Sequence, residues 1–273
     1  MFFIKEQKTV TNYIYKMKNK IVNALFFLIA LLFLESCTND ELVPYYPEQK
    51  AGKLVIRGYN ARADSIQIAV NGKVIKIGNK NAFVKNIVRD YDFVIYENAP
   101  KDIVITNKRS KEILHSYHIT SNKSIDTISF YHKKDLWVDN VLATKPGVLT
   151  NPKDAGFKFI FPTFNKYSNT AYKGNLDGII RNLDGETVAV AQNIGQNQYS
   201  TFVEFQASLP PIIKMELVKH GTTESYIPGK QVFVVMLMTA NKSRLIVLDE
   251  KKADNGQFSG VDGSLNLADF FEF

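Results

Sequence analysis

Ser65-Ile-Gln-Ile-Ala-Val-Asn-Gly-Lys-Val-Ile-Lys-Ile77 reads as two strands and the turn between them. Successive side chains of an extended chain point to opposite faces, so Ile66, Ile68 and Val70 share one face and Gln67 and Ala69 the other. Asn71-Gly72 tolerates the positive φ angles of a tight type I′ turn, so Lys73 to Ile77 folds back as the second strand. The same alphabet continues outward. Tyr91 to Tyr96 and Ile103 to Thr106 are strands separated by Asn98-Ala99-Pro100-Lys101-Asp102. Glu112 to Thr120 and Ile125 to His132 follow, with short connectors rich in Asn, Lys, Asp and Gly. No stretch after residue 37 has the 3.6-residue apolar period of a helix.

Leu142 to Asp154 breaks the pattern. Lys145-Pro146-Gly147 and Asn151-Pro152-Lys153 carry two prolines and a glycine with no alternation, which marks a linker. Strands resume at Phe157, Phe159 and Phe161, alternating with Lys158 and Ile160. Asp177-Gly178 and Asp184-Gly185 are turn signals around Ile179-Ile180. Val188 to Ala191, Thr201 to Phe205, Ile212 to Val218 and Val232 to Met238 are further strands, and Arg244 to Leu248 is expected at an edge. Ala51-Gly52-Lys-Leu-Val-Ile and Ala155-Gly156-Phe-Lys-Phe-Ile open the two halves 104 residues apart. Pro100 precedes Ile103-Val104 as Pro210-Pro211 precedes Ile212-Ile213. The expected fold is all-β: two tandem antiparallel β-sandwich (Ig-like) domains of seven or eight strands, read as a duplication.

The N-terminus has a different character. Met17-Lys-Asn-Lys20 is followed by the apolar run Ile21 to Leu34 and then Glu35-Ser36-Cys37. A basic start, a short apolar run and a small residue before the cut make a secretory signal. The run is short for a bilayer span, which takes roughly 18 or more apolar residues. Leu34-Glu-Ser-Cys37 resembles the lipobox of bacterial lipoproteins, in the looser form of Bacteroidota, where the cysteine is lipidated and becomes the new N-terminus. Asp40 and Glu41 resemble surface-export signals of the same lipoproteins, or else belong to a solvated linker. Lys53-Leu-Val-Ile-Arg-Gly-Tyr-Asn60 and the first hairpin resemble uncharacterised Bacteroidota-type lipoproteins with Ig-like or transthyretin-like β-sandwich domains. That resemblance brings no catalytic residues.

The expected organisation is a signal peptide over 1–36, a lipidated tether over 37–50, a sandwich over 51–141, a linker over 142–154 and a second sandwich over 155–273. The expected address is the outer membrane, anchored through lipid on Cys37 and facing the periplasm or the cell surface. Cys37 is the single cysteine, so no disulfide is available.

Removing residues 1 to 36 takes five lysines and two glutamates, leaving 29 basic and 25 acidic residues of the original 34 and 27. A net charge of +4, with no basic stripe, argues against nucleic acid as a partner. Nothing resembles His-Glu-x-x-His, Gly-x-Ser-x-Gly or a phosphate-cradling loop, and no cofactor is expected. His115 and His118 have odd spacing, which puts their rings on opposite faces of a strand. His132 lies on the next strand, within reach of one of them. Phe258 to Asp269 has the rough outline of a calcium loop but lacks carboxylates at the first and third positions, so a turn or docking tail is expected. Phe270, Phe271 and Phe273 are expected to pack on the second domain.

Trp137 is the sole tryptophan, beside Asp135, Asp139 and Asn140, with Tyr131 and His132 near in sequence. It reads as a seal between the domains. Alternatively Trp137, Tyr131 and His132 form a ligand site in which an aromatic ring and planar hydrogen bonds hold a sugar. Asp64-Ser65-Ile66 and Asp126-Thr127-Ile128 resemble Bacteroidota O-glycosylation sites. The expected function is a non-catalytic binding or scaffolding lipoprotein of the cell envelope, with envelope proteins or glycans as partners. A glycan-binding accessory role in outer-membrane uptake and a hydrolase with a carboxylate pair hidden by the fold are the alternatives.

Overall fold

The computed structural model describes residues 49–273, except 77, 97–98 and 121–122. Cys37, the signal and most of the tether lie outside the described residues. Eight strands build the first half: β1 (Gln49–Asn60), β2 (Ile66–Val70), β3 (Lys73–Val74), β4 (Lys85–Tyr96), β5 (Lys101–Asn107), β6 (Ile113–Ile119), β7 (Ile125–Lys133) and β8 (Leu136–Asp139). Eight more build the second: β9 (Asp154–Ile160), β10 (Leu176–Arg181), β11 (Thr187–Ile194), β12 (Val203–Gln206), β13 (Ile212–Lys219), β14 (Phe233–Leu237), β15 (Lys242–Lys252) and β16 (Phe258–Asn266). A single 3-10 turn, Leu267–Asp269, closes the described chain. The fold is all-β, in two sandwich-like units.

The Asn71-Gly72 turn forms as expected, but its second strand is only Lys73–Val74 of the Lys73 to Ile77 expected, Ile77 lying outside the described residues. Asn71 and Gly72 take φ of 48° and 77°, and Val70 pairs with Lys73. Inside the first unit, Ile66, Ile68, Ile103 and Ile105 meet Leu54, Ile56, Ile128 and Phe130 across the gap between sheets. Phe157, Phe159 and Phe161 do the same in the second, against Ile213, Met215 and Leu217.

The two units share one topology. The first has sheet orders β4-β1-β7-β8 and β3-β2-β5-β6; the second has β12-β9-β15-β16 and β11-β10-β13-β14. Adding eight to each strand number of the first gives the second. Even the parallel pairing repeats: β1 runs parallel to β7, and β9 to β15. A fully antiparallel arrangement is therefore corrected by one parallel pair in each unit. Such a pair needs a long crossover, which the strands of the facing sheet provide. The Ala-Gly match that suggested duplication is out of phase. Leu54 and Ile56 point inward, as do Phe157 and Phe159. Equivalent positions thus lie an odd number of residues apart, because a slip of one residue flips every side chain to the other face.

A third core lies at the junction of the two units. Tyr131, Leu136, Val138 and Val141 pack there with Ile160, Leu245, Val247 and Leu267. This corrects the edge expected at Arg244 to Leu248. β15 is the central strand between β9 and β16. Ile246 and Leu248 face the core of the second unit while Leu245 and Val247 face the junction. A strand buried on both faces reads as a continuous apolar run, not as alternation. The aromatic tail packs at the junction and not on the second unit alone: Phe270 and Phe271 lie against the junction core, and Phe270 meets Tyr59 and Tyr131 of the first unit at ring distances of 4.7 and 5.1 Å.

The segment between the units is laced down. Glu204 accepts hydrogen bonds from the Thr150 amide at 2.6 Å, the Thr150 hydroxyl at 3.0 Å and the Asn151 amide at 3.1 Å. Lys158 donates to Thr144 and to the Lys145 carbonyl. Val148, 88% exposed, is its open point.

Candidate functional site

The proposed ligand triad does not converge. Tyr131 and His132 are neighbours on β7 and point to opposite faces. Tyr131 is 2% exposed and sits in the junction core, where burial, then the nearby Tyr59, raise its pKa to about 12. His132 is 3% exposed and pairs across the ladder with Trp137, the rings 5.2 Å apart. Its Nε2 lies 3.2 Å from the Lys134 carbonyl, and its Nδ1 has no hydrogen-bond partner. Burial lowers its pKa.

Trp137 packs against the core of the first unit, not the junction. The pleat of β8 explains this. Leu136 and Val138 go to the junction, so Trp137 between them must go the other way. The indole is stacked on His115 at 4.5 Å and on Phe130 at 4.7 Å, with planes 8° and 17° apart. Its Nε1 donates to Asp139 at 2.8 Å. Asp139 also accepts from the Tyr117 hydroxyl at 2.6 Å and lies 3.2 Å from His115 Nε2. Burial alone would raise the Asp139 pKa, but the hydrogen bonds from His115, Tyr117 and Trp137 outweigh it and hold the carboxyl low. Burial, then the Asp139 charge, push the Tyr117 hydroxyl upward. This cluster joins β6 of one sheet to β8 of the other. Its polar atoms and ring faces are directed at one another, as in a clasp.

The other expectations resolve simply. His118 lies away from His115 and meets Asp102 at 2.6 Å in solvent. The calcium-like segment is strand β16 and the 3-10 turn after it. There Asp262 meets Lys251 at 3.4 Å. Among the described residues no cluster of His, Cys, Asp and Glu has the geometry to hold a metal ion. Thr127 is exposed and Ser65 half-buried.

A cleft of about 450 Å³ at the junction brings together residues that the sequence did not. One wall is the turn between β7 and β8, with Lys133, Lys134 and Asp135. The second is Lys166 and Tyr167. The third is the run Asp249 to Asp254, with Asp262 and Ser264 of β16. Lys166 reaches across the units and donates to the Asp135 carbonyl at 2.8 Å. Lys166 and Lys252 hold their ammonium groups 5.3 and 5.6 Å from the centre of the Tyr167 ring. Lys251 bonds Asp249 at 2.8 Å. Partial burial would lower the Lys251 pKa, but Asp249 and Asp262 outweigh it and raise it. Burial would likewise raise Asp262, but the Ser264 amide and hydroxyl and Lys251 hold it low.

Glu250 fixes this geometry from below. It is 1% exposed. Its carboxylate accepts the amides of Asn165, Tyr167 and Ser168 at 3.2, 2.6 and 3.0 Å. It also accepts the hydroxyls of Ser168 at 2.6 Å and Tyr226 at 3.3 Å. A charged acceptor makes the stronger kind of hydrogen bond, so the loop carrying Tyr167 is held as a rigid wall. The sequence offered one local signal for the rim: the charged run Asp249-Glu-Lys-Lys252 directly after Leu245 to Leu248.

No protein-family model matches the chain, and no curated protein matches it. Among solved structures it is similar to the Bacillus anthracis TIE protein at 6% identity and a TM-score of 0.24, covering 78% of this chain and 34% of that one. It is similar to CBMbc, a family CBM26 module from Eubacterium rectale Amy13K in complex with maltoheptaose, at 10% identity and a TM-score of 0.23, covering 78% of this chain and 97% of that one. A leucine-rich repeat protein from Bacteroides thetaiotaomicron aligns at 10% identity and a TM-score of 0.15, over 79% of this chain and 27% of that one. The chain thus spans about a third of the Bacillus protein's length. At such TM-scores these likenesses transfer neither a ligand nor a site.

Proposed function

We propose that this is a lipoprotein of the cell envelope, held at the outer membrane through lipid on Cys37, whose all-β body is a non-catalytic binding module. Its ligand seat is the cleft at the junction of the two units. The observation that carries this reading is the lining of that cleft: fixed lysines and aspartates of both signs around one aromatic ring. Such a surface suits a polyhydroxylated or charged ligand, and a glycan fits it better at Tyr167 than at Trp137, whose indole already stacks on protein rings. Asp249 and Asp262 of the cleft are both engaged by Lys251, at 2.8 and 3.4 Å, an arrangement suited to holding a ligand.

Two measurements test this. Fatty-acid labelling of cells should mark the protein and spare Cys37→Ser; equal label in both removes the anchor. A glycan array probed with residues 38–273 should show binding that Tyr167→Ala and Lys252→Ala abolish. Binding that survives both changes but is lost in Trp137→Ala places the seat elsewhere. Silence on the array, with specific capture of an envelope protein that Tyr167→Ala prevents, selects the scaffolding form of the same reading.

A further inference from the structure

The inward column of β5 reads Lys101, Ile103, Ile105, Asn107, and that of β7 reads Asp126, Ile128, Phe130, His132. Both columns place a charge at one end, in the same phase as core isoleucines. The two charges meet. Lys101 Nζ and Asp126 Oδ2 are in direct contact, and the residues are 3% and 7% exposed. They belong to different sheets, since β5 lies in β3-β2-β5-β6 and β7 in β4-β1-β7-β8. The Phe93 ring lies 5.4 Å from Nζ.

An ion pair in this setting recovers little, because removing two charges from water costs about as much as their attraction returns. The fold does not demand it either. The corresponding columns of the second unit carry Ile213, Met215 and Leu217 on β13 and Ile246 and Leu248 on β15, and the same topology forms. What a buried amine held against a buried carboxyl does offer is a reaction. Fixed contact replaces a bimolecular encounter by an intramolecular one, at effective concentrations far above any free reactant.

We propose that Lys101 and Asp126 condense into an intramolecular amide, an isopeptide cross-link between the two sheets of the first unit. A proton passes from the Lys101 ammonium to the Asp126 carboxylate. The freed Nζ lone pair attacks Cγ and forms the C–N bond. One carboxyl oxygen leaves as water, carrying one hydrogen from the carboxyl and one from the amine. Both charges vanish, no electrons are exchanged and no co-reactant is consumed. The bond gives a body without disulfides a covalent staple between its sheets.

Mass spectrometry of the full chain carrying Cys37→Ser decides the matter, since acylation then does not obscure the mass. The denatured protein is expected to be lighter than its sequence by one water. Tryptic digestion should give a branched species joining the peptides that contain Lys101 and Asp126, with no cleavage after Lys101. Lys101→Arg and Asp126→Ala should each restore the full sequence mass whether or not they fold well. A parent protein at full sequence mass, cleaved normally after Lys101, overturns the proposal. So does a water loss that maps to an Asp-Gly step such as Asp184-Gly185, where succinimide formation gives the same mass change.

Discussion

Replacing Glu250 by Ala should loosen the wall that carries Tyr167 and destabilise the whole body. The change removes a buried carboxylate and leaves three amides and two hydroxyls without their acceptor. A hydrogen bond to a charged group is worth about 1.5–3 kcal/mol, and an unsatisfied buried donor costs a similar amount. The five do not add, because the loop moves and water enters once the anchor is gone. We expect a loss of about 4 kcal/mol, the range seen when a buried polar network is broken. At roughly 2–4 °C per kcal/mol for a body of this size, Tm falls by roughly 8–16 °C. Glu250→Gln is the sharper probe. It keeps the volume, but whichever oxygen becomes the amide nitrogen then faces at least one backbone amide donor, so a cost of about 2 kcal/mol remains. Urea unfolding gives both values. Hydrogen exchange should show Asn165, Tyr167 and Ser168 losing protection before the rest of the chain. A stability change under about 1 kcal/mol in Glu250→Ala, with protection of those amides intact, refutes the reasoning.

Three further outcomes follow from the same contacts. His132 has a folded-state pKa below 6.5, so its unfolded form takes up a proton first and stability falls as pH drops below about 6.5 toward the folded value; thermal melts of His132→Phe should lose that limb and keep the one below the carboxylate range, where Asp139 and Asp262, held low in the fold, become protonated. Asp139→Ala should change the emission of the sole tryptophan, since Trp137 Nε1 loses its acceptor; an unchanged spectrum contradicts the clasp. Leu245→Ala should cost about 2.5–5 kcal/mol in a single unfolding transition, as its side chain fills the core common to both units; two separate transitions in the parent protein would deny that the units unfold together.

The parts of this fold that were legible are those in which one local rule suffices. Asn71-Gly72 fixes its hairpin, and the alternation of Phe157, Phe159 and Phe161 fixes an inward face. β15 was misread because alternation is a signal of one buried face, and Leu245 to Leu248 has two. Phe258 to Asp269 was expected as a turn or docking tail and is mostly strand, because turn residues such as Gly260 and Gly263 also occur inside a strand. The cleft was illegible because its wall is joined over long separations. Glu250 meets Asn165, Tyr167 and Ser168 across 82 to 85 residues, and nothing near Glu250 announces those partners. Lys101 and Asp126 were written in the sequence as charges in the phase of core isoleucines, yet that signal becomes readable only when the strand phase is known.

The shared topology shows where the two units differ. Both units repeat the same eight-strand order around an apolar middle. The differences gather at the ends of the inward columns and on the outer faces. At one end of the first unit sit Lys101 and Asp126. At the other, Asn107 donates to Asp64 and Asn60 to the Asp64 carbonyl. On the outer faces, Tyr131, Leu136 and Val138 of the first unit meet Leu245 and Val247 of the second. The cleft beside them takes Lys133 to Asp135 from one unit and Tyr167, Lys251 and Lys252 from the other. Neither copy alone could form it. The cleft thus exists where the two units meet through apolar outer faces, and the apolar run of β15 is the sequence trace of that junction.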